Sequence, residues 1–263
     1  MRYPFLIFVS FLISATAFSN LGLELIPKGR PFRMTFADPR EIRMALIFEG
    51  SSKIDATIGN YFSLFGIRGE DGSDWFFHVG LEGCGYFTMR QANHRFPLET
   101  ADGLIGFYTE TSVGPFQYQF RLTHISAHLA DGSSDGSIAY SRETAILRAG
   151  YLLNPDTHFY TGVHYMVNTI PQLPRWAFQV GASSFFRLFQ GKLAPFAAFD
   201  LKHKGDVSVN PSFNLQLGVA FGNPPEIYKS FRFFYSYFTG TDPRGQYFTK
   251  QTTEHSLGIE MQI

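Results

Sequence analysis

Cysteine is almost missing from this chain. Cys84 is the single one in 263 residues, so no intramolecular disulfide can form. It lies between Gly83 and Gly85 without a second Cys or a closely spaced His, and reads as a structural or incidental thiol. A surplus of either charge is missing too. Lys+Arg and Asp+Glu stand at 22 each, which removes the electrostatic case for a nucleic-acid partner. Glycine signatures for phosphate, CxxC pairs, internal repeats, charge blocks and low-complexity tracts are absent. No cofactor and no metal are expected. After residue 18 no apolar run approaches the ~18 residues that a transmembrane helix needs.

Phenylalanine and tyrosine are abundant instead, at 30 and 13 residues against 2 Trp, a composition that suits strands and the aromatic girdles of a membrane barrel. It equally suits a soluble β-sandwich with an aromatic core. The first residues read as an export signal, with Arg2 as the charge, Tyr3 to Ile13 as the apolar run and Ala15-Thr16-Ala17 as the cleavage site. Residues 1–17 are thus expected to be a signal peptide, 18–42 an irregular lead and 43–263 the folded domain.

That domain alternates at period two. Phe213, Leu215, Leu217, Val219 and Phe221 share one face while Asn214, Gln216, Gly218 and Ala220 share the other. Trp75, Phe77, Val79 and Leu81 oppose Phe76, His78, Gly80 and Glu82. Phe231, Phe233, Tyr235 and Tyr237 oppose Arg232, Phe234 and Ser236. The polar face is rich in Gly, Ala, Ser, Asn and Gln with single charges, which fits a crowded lumen better than a sandwich surface. The last strand runs to Ile263, an amphipathic end resembling the assembly signal of outer-membrane barrels, although those usually end in Phe. Strands are placed near 43–49, 57–67, 74–82, 103–110, 115–129, 143–153, 157–167, 175–187, 193–202, 211–221, 229–239 and 253–263. An all-β, antiparallel transmembrane barrel of about 12 strands follows, an even number as single-chain bacterial barrels show. The longer connections, 130–142 among them, belong outside. Lumen candidates Glu82, Arg121, Arg148, Asp200, Lys202, Arg232 and Glu260 have mixed signs and point to an internally paired, nearly closed interior.

One stretch breaks the alternation. Gln117, Gln119, Arg121 and Thr123 are polar at odd positions, and beyond them His124, Ser126 and His128 are polar at even ones. A β-bulge would turn these three into the lumen. Without one they face lipid near the outer rim, costly for a merely structural role. Asp131 and Glu143 follow on the loop and the returning strand. His124 or His128 as base, Ser126 as nucleophile and Asp131 or Glu143 as orienting acid would make a Ser-His-acid site. Because i and i+2 on a strand are ~6.6 Å apart, His124 and Ser126 need rotamers that lean together. The alternative is a polar network that fixes loop and strand register, or a ligand site. His78, His94, His158, His164, His203 and His255 form no motif.

Three ordered motifs carry a resemblance. Phe120-Arg121-Leu122-Thr123-His124-Ile125-Ser126-Ala127-His128-Leu129-Ala130-Asp131, then Tyr140-Ser141-Arg142-Glu143, and earlier Ala37-Asp38-Pro39-Arg40-Glu41-Ile42-Arg43, resemble a bacterial family of uncharacterised proteins, described as a domain of unknown function with a predicted outer-membrane barrel. Ala130 stands where that family usually has Gly, and Gly132 where it has an acid. The resemblance implies fold and location and carries no activity. His124-x-Ser126 also resembles the H-x-S of outer-membrane lipid A deacylases, smaller eight-stranded barrels with a Ser-His-Glu arrangement, which would make Glu143 the acid. The leading expectation is an outer-membrane barrel of structural or transport, porin-like type. The competing one is an acyl hydrolase on lipopolysaccharide or phospholipid, and a third is adhesion or ligand binding through outer loops. Expected partners are outer-membrane lipids, the barrel assembly machinery and a small-molecule or lipid ligand.

Overall fold

The computed structural model describes residues 22–50, 52–68, 76–133, 135–204, 211–222 and 231–262. The expected signal peptide, Trp75 and Ile263 lie outside them. The described strands are β1 (Gly22–Leu25), β2 (Met44–Glu49), β3 (Lys53–Arg68), β4 (Phe76–Arg90), β5 (Leu98–Val113), β6 (Phe116–Leu129) and β7 (Ser141–Asn154). They continue with β8 (Thr157–Ile170), β9 (Trp176–Phe185), β10 (Leu193–Lys204), β11 (Ser212–Phe221), β12 (Phe231–Thr241) and β13 (Gln251–Met261). From β2 to β13 each strand pairs with the next, and β13 pairs back onto β2 from Leu257↔Phe48 to Met261↔Met44. The result is the expected antiparallel barrel of twelve strands, with β1 as an extra strand against the far end of β3. No described helix is long and apolar enough to cross a membrane.

Hairpins are tighter than the sequence suggests. Residues 83–102 read as a long loop because Gly83 and Gly85 interrupt the apolar pattern. In the structure β4 runs on to Arg90 and β5 begins at Leu98, so only 91–97 connect them. The glycines fall on the outward face of a ladder that continues unbroken from Cys84↔Leu104 to Thr88↔Thr100, while Cys84 and Tyr86 pack inward with Leu104 and Tyr108. Cys84 is thus a buried, small apolar filler.

The barrel is apolar outside and polar inside. Ile58, Phe62, Leu81, Ile105, Leu147, Phe178, Leu217 and Leu257 are exposed on the outer face. Gln119, Arg121, Arg148, Gln179, Asp200, Asn214, Arg232 and Glu260 are buried in the lumen. Such an inversion pairs the strand backbones around the closed ladder and leaves a largely apolar outer face, the solution a bilayer demands.

The lumen is filled by the chain's own N-terminal segment. Between β1 and β2, residues 26–43 turn inward, and Phe32, Thr35, Phe36, Asp38, Glu41, Ile42 and Arg43 are buried there. The Ala37–Arg43 motif is the centre of this plug. Asp38 meets Arg148 Nη2 at 2.9 Å, Lys202 Nζ at 3.0 Å and the Gln179 amide at 2.9 Å. Glu41 accepts from Arg148, Tyr61 and Thr35, Arg40 pairs with Asp102 at 2.7 Å, and Arg43 with Glu260 at 3.2 Å. All seven lumen charges expected from the sequence are buried or half-buried here, and Arg121–Glu82 (2.9 Å) and Arg232–Glu260 complete the pairing. Phe36 packs with Phe185, Phe196 and Phe234 as an apolar floor.

The opposite end is capped by the β12–β13 connection. Gly245 N donates to Asp102, Gln246 to the carbonyls of Ala127 and Ile138, and the Tyr247 hydroxyl to Glu99 at 2.8 Å. A cavity of about 160 Å³ remains between plug and cap.

Candidate functional site

The break in alternation along β6 is not a bulge in β6. Pairing with β5 runs without a slip from Val113↔Phe116 to Thr100↔Leu129, and pairing with β7 runs from Phe116↔Tyr151 to Ser126↔Ser141. His124, Ser126 and His128 therefore share the outer face with Phe116, Tyr118, Phe120 and Leu122. The polar run on the outside begins where Leu122 gives way to His124, near the end of the barrel opposite the termini.

Cross-strand register assembles the rest. His124 lies opposite Glu143 and Ser126 opposite Ser141. His124 Nδ1 is 2.8 Å from Glu143 Oε1, and Ser141 Oγ donates to the same oxygen at 3.3 Å. With its proton on Nδ1, the imidazole donates to the carboxylate and keeps the lone pair of Nε2 free, the tautomer assigned from this partner. The two side chains are 44% and 34% exposed, so the pair is reachable from outside the wall. Ser126 faces Gly103 on β5, where a Cβ would stand 3.8 Å from its Oγ. The missing side chain uncovers the hydroxyl on that flank. Among the described residues no hydrogen bond joins Ser126 to His124. On a straight strand i and i+2 diverge, and such contacts often tighten only with substrate in place.

A bulge does exist, two strands away. The β7–β8 ladder slips between Glu143↔Asn168 and Thr144↔Met166, leaving Val167 as the extra residue. Val167 and Asn168 are both exposed while Met166 and Thr169 are buried, so the bulge turns Asn168 outward beside Glu143. Asn168 and Ser141 escape a reading of β6 alone. The detectable signal is the shift from odd apolar positions (Val163, Tyr165, Val167) to Ile170.

Of the five residues singled out in the sequence, His124 and Glu143 are brought into contact, and Ser126 shares their outward face opposite Ser141. His128 is exposed on the same face, two pleats further toward the rim, and Asp131 is exposed in the turn after β6. Neither has a hydrogen bond to the other three among the described residues. The only group of acids close enough together to hold an ion, Glu49, Asp55 and Glu254 among the described residues, already surrounds the ammonium of Lys53.

A closed twelve-stranded barrel, apolar outside and polar within, is the architecture of outer-membrane β-barrel proteins. The chain belongs to the family described as "Protein of unknown function (DUF1207)", whose model matches residues 6–262. No curated protein matches it. Among solved structures it is similar to the Salmonella typhi outer membrane phospholipase dimer with bound calcium, at 10% identity and a TM-score of 0.55 over 89% of this chain and 94% of that one. It is also similar to outer membrane phospholipase A from Escherichia coli, at 13% identity and a TM-score of 0.50 over 80% of this chain and 78% of that one. An active-site mutant of the E. coli protein aligns at 12% identity and a TM-score of 0.53, over 88% and 91% of the two chains. At these identities the likeness is one of fold.

Proposed function

We propose that this barrel sits in the bacterial outer membrane and hydrolyses lipid acyl esters at its outer wall, with Ser126 as nucleophile, His124 as base and Glu143 as orienting acid. The observation that carries this reading is the outward-facing His124–Glu143 pair, 2.8 Å apart, with Ser126 on the same face of the wall. The pair stands at the edge of the apolar wall, just beyond Phe120 and Leu122, where an acyl chain lying on that wall would end. The lumen supports the same choice over a porin-like role, since plug and cap cross it. The proteins named outer membrane phospholipases are built on this barrel as well.

In the proposed chemistry Ser126 Oγ attacks the ester carbonyl while its proton passes to His124 Nε2. Glu143 holds Nδ1–H and stabilises the imidazolium. As the tetrahedral intermediate collapses, the ester C–O bond breaks and the leaving alkoxide takes the proton from Nε2. Water, deprotonated by the same nitrogen, then releases the fatty acid and restores Ser126. Gly103 gives the acyl chain room to reach the hydroxyl along the apolar wall.

The test is release of labelled fatty acid from phospholipid and lipopolysaccharide by the refolded protein, beside Ser126→Ala and His124→Ala. Release by the parent and at least ~10³-fold less in both variants, with heat-modifiable gel mobility unchanged, is expected. Release that survives Ser126→Ala, or none from the parent in conditions that support other lipid hydrolases, sinks the proposal.

A further inference from the structure

The barrel wall has a gap near the termini. β2 covers β3 only from Lys53 to Ile58, and β1 covers it again from Phe65 to Arg68. Hydrogen bonds from Gly59 N to Arg43 O and from Ile26 N to Leu64 O, both 3.0 Å, mark the two borders. Between them residues 60–63 pair with β4 on one side and, among the described residues, with no strand on the other. The Tyr61 N–H that points into this open edge is satisfied by Asn60 Oδ1 at 2.8 Å, so a local side chain stands in for the missing strand.

A cavity of about 860 Å³ opens at this edge. Its lining includes outward Phe62 and Leu64 together with inward Tyr61 and Ser63. Two faces of one strand border a single space only where the edge is unpaired, so the cavity connects the interior with the outside of the wall. Its charged lining among the described residues is cationic: Lys28, Arg30, Arg33 and Arg43, with no acid beside them. Arg30 and Arg43 are tied back to Glu110 and Glu260. Lys28 is exposed and forms no ion pair among the described residues, and Arg33 reaches the Pro155 carbonyl at 2.8 Å.

We propose that this gap is a lateral binding site for an anionic phospholipid, with its headgroup at Lys28 and Arg33 and its chains along Phe62 and Leu64. The proposal rests on the barrel spanning a bilayer and is independent of the Ser126 chemistry. What meets an opening in such a wall is lipid, and the sign of the lining selects among lipids. Each Lys or Arg near an anionic membrane surface adds attraction for anionic headgroups. A zwitterionic headgroup brings its own cation and forfeits that attraction.

The experiment places a tryptophan at the gap by Phe62→Trp and, as control, on the far wall at similar depth by Phe159→Trp, an exposed outward position. Each protein is reconstituted in vesicles whose brominated-chain quencher is either phosphatidylglycerol or phosphatidylcholine, and the parent's native tryptophan signal is subtracted. Several-fold stronger quenching by brominated phosphatidylglycerol at position 62, equal quenching by both lipids at 159, and loss of the preference in Lys28→Gln/Arg33→Gln are expected. Lys28→Gln alone, at an exposed site that folding does not need, should halve it. Soluble glycerol phosphate should leave it unchanged. Equal quenching at 62, a preference that survives the charge substitutions, or displacement by glycerol phosphate overturns the proposal.

Discussion

Two polar clusters in this molecule are each built around a carboxylate and end in opposite chemical states. In the lumen, Asp38, Glu41, Arg148, Lys202 and Gln179 use one another up, each carboxylate meeting two or more donors. On the outer wall, His124 spends one ring nitrogen on Glu143, while its other nitrogen and the Ser126 hydroxyl have no partner among the described residues. Burial drives the first outcome, because an unmatched charge inside the barrel costs several kcal/mol. The second leaves donor and acceptor capacity unspent, which catalysis requires and stability does not.

Arg148 stands at the centre of the lumen cluster. Its guanidinium touches Asp38, Glu41, Gln119 and Gln179, and so ties the plug to β6 and β9. Arg148→Met should lower the unfolding free energy by about 3–5 kcal/mol, because buried Glu41 loses its ion-pair partner and Asp38 one of its two. Urea unfolding of the refolded protein, followed by intrinsic fluorescence, measures it. A loss under ~1 kcal/mol would mean that the plug is held by its apolar contacts with Phe185 and Phe196 instead.

The barrel itself was legible because its signal is local: alternation at period two survives in each strand, and strand number follows from counting turns. The seven lumen charges were legible for the same reason, each lying in phase with its neighbours. The plug was not. Residues 26–43 have no periodicity, and Asp38 finds Lys202 across 164 positions, a contact that no local pattern encodes. At the candidate site, His124, Ser126 and Glu143 were readable from residue type and the H-x-S spacing. The direction they face was left between two readings, since a phase change in sequence looks the same whether a bulge or a change of outer surface causes it. Asn168 was hidden because its orientation depends on one extra residue, Val167, in a strand whose own alternation looked regular.

At the outer wall the comparison sharpens through Glu143→Gln. The amide preserves shape but cannot carry the charge that steadies an imidazolium. Hydrolysis should fall by up to about 10⁴-fold, the loss seen when a triad acid is replaced by its amide. The urea midpoint should stay within ~0.5 kcal/mol of the parent, as for other surface changes. Equal losses in activity and stability would place Glu143 with the lumen cluster, as architecture.

The smallest effect compares two phenols that donate to glutamates in different surroundings. Tyr61 gives its hydrogen bond to Glu41 in the plug, and Tyr247 gives its own to Glu99 in the cap at 2.8 Å. Burial and the Glu99 carboxylate push the Tyr247 phenol up to about 12, so it remains a donor throughout the neutral range. Tyr247→Phe removes one bond at the water-facing end, where solvent can replace it, and should cost about 0.5–1.5 kcal/mol. Tyr61→Phe strips a donor from a carboxylate that water reaches poorly and should cost about 1.5–3 kcal/mol. Chemical unfolding of the two variants side by side reads the difference. If Tyr247→Phe proved the costlier, the cap rather than the plug would be the structure that closes the barrel.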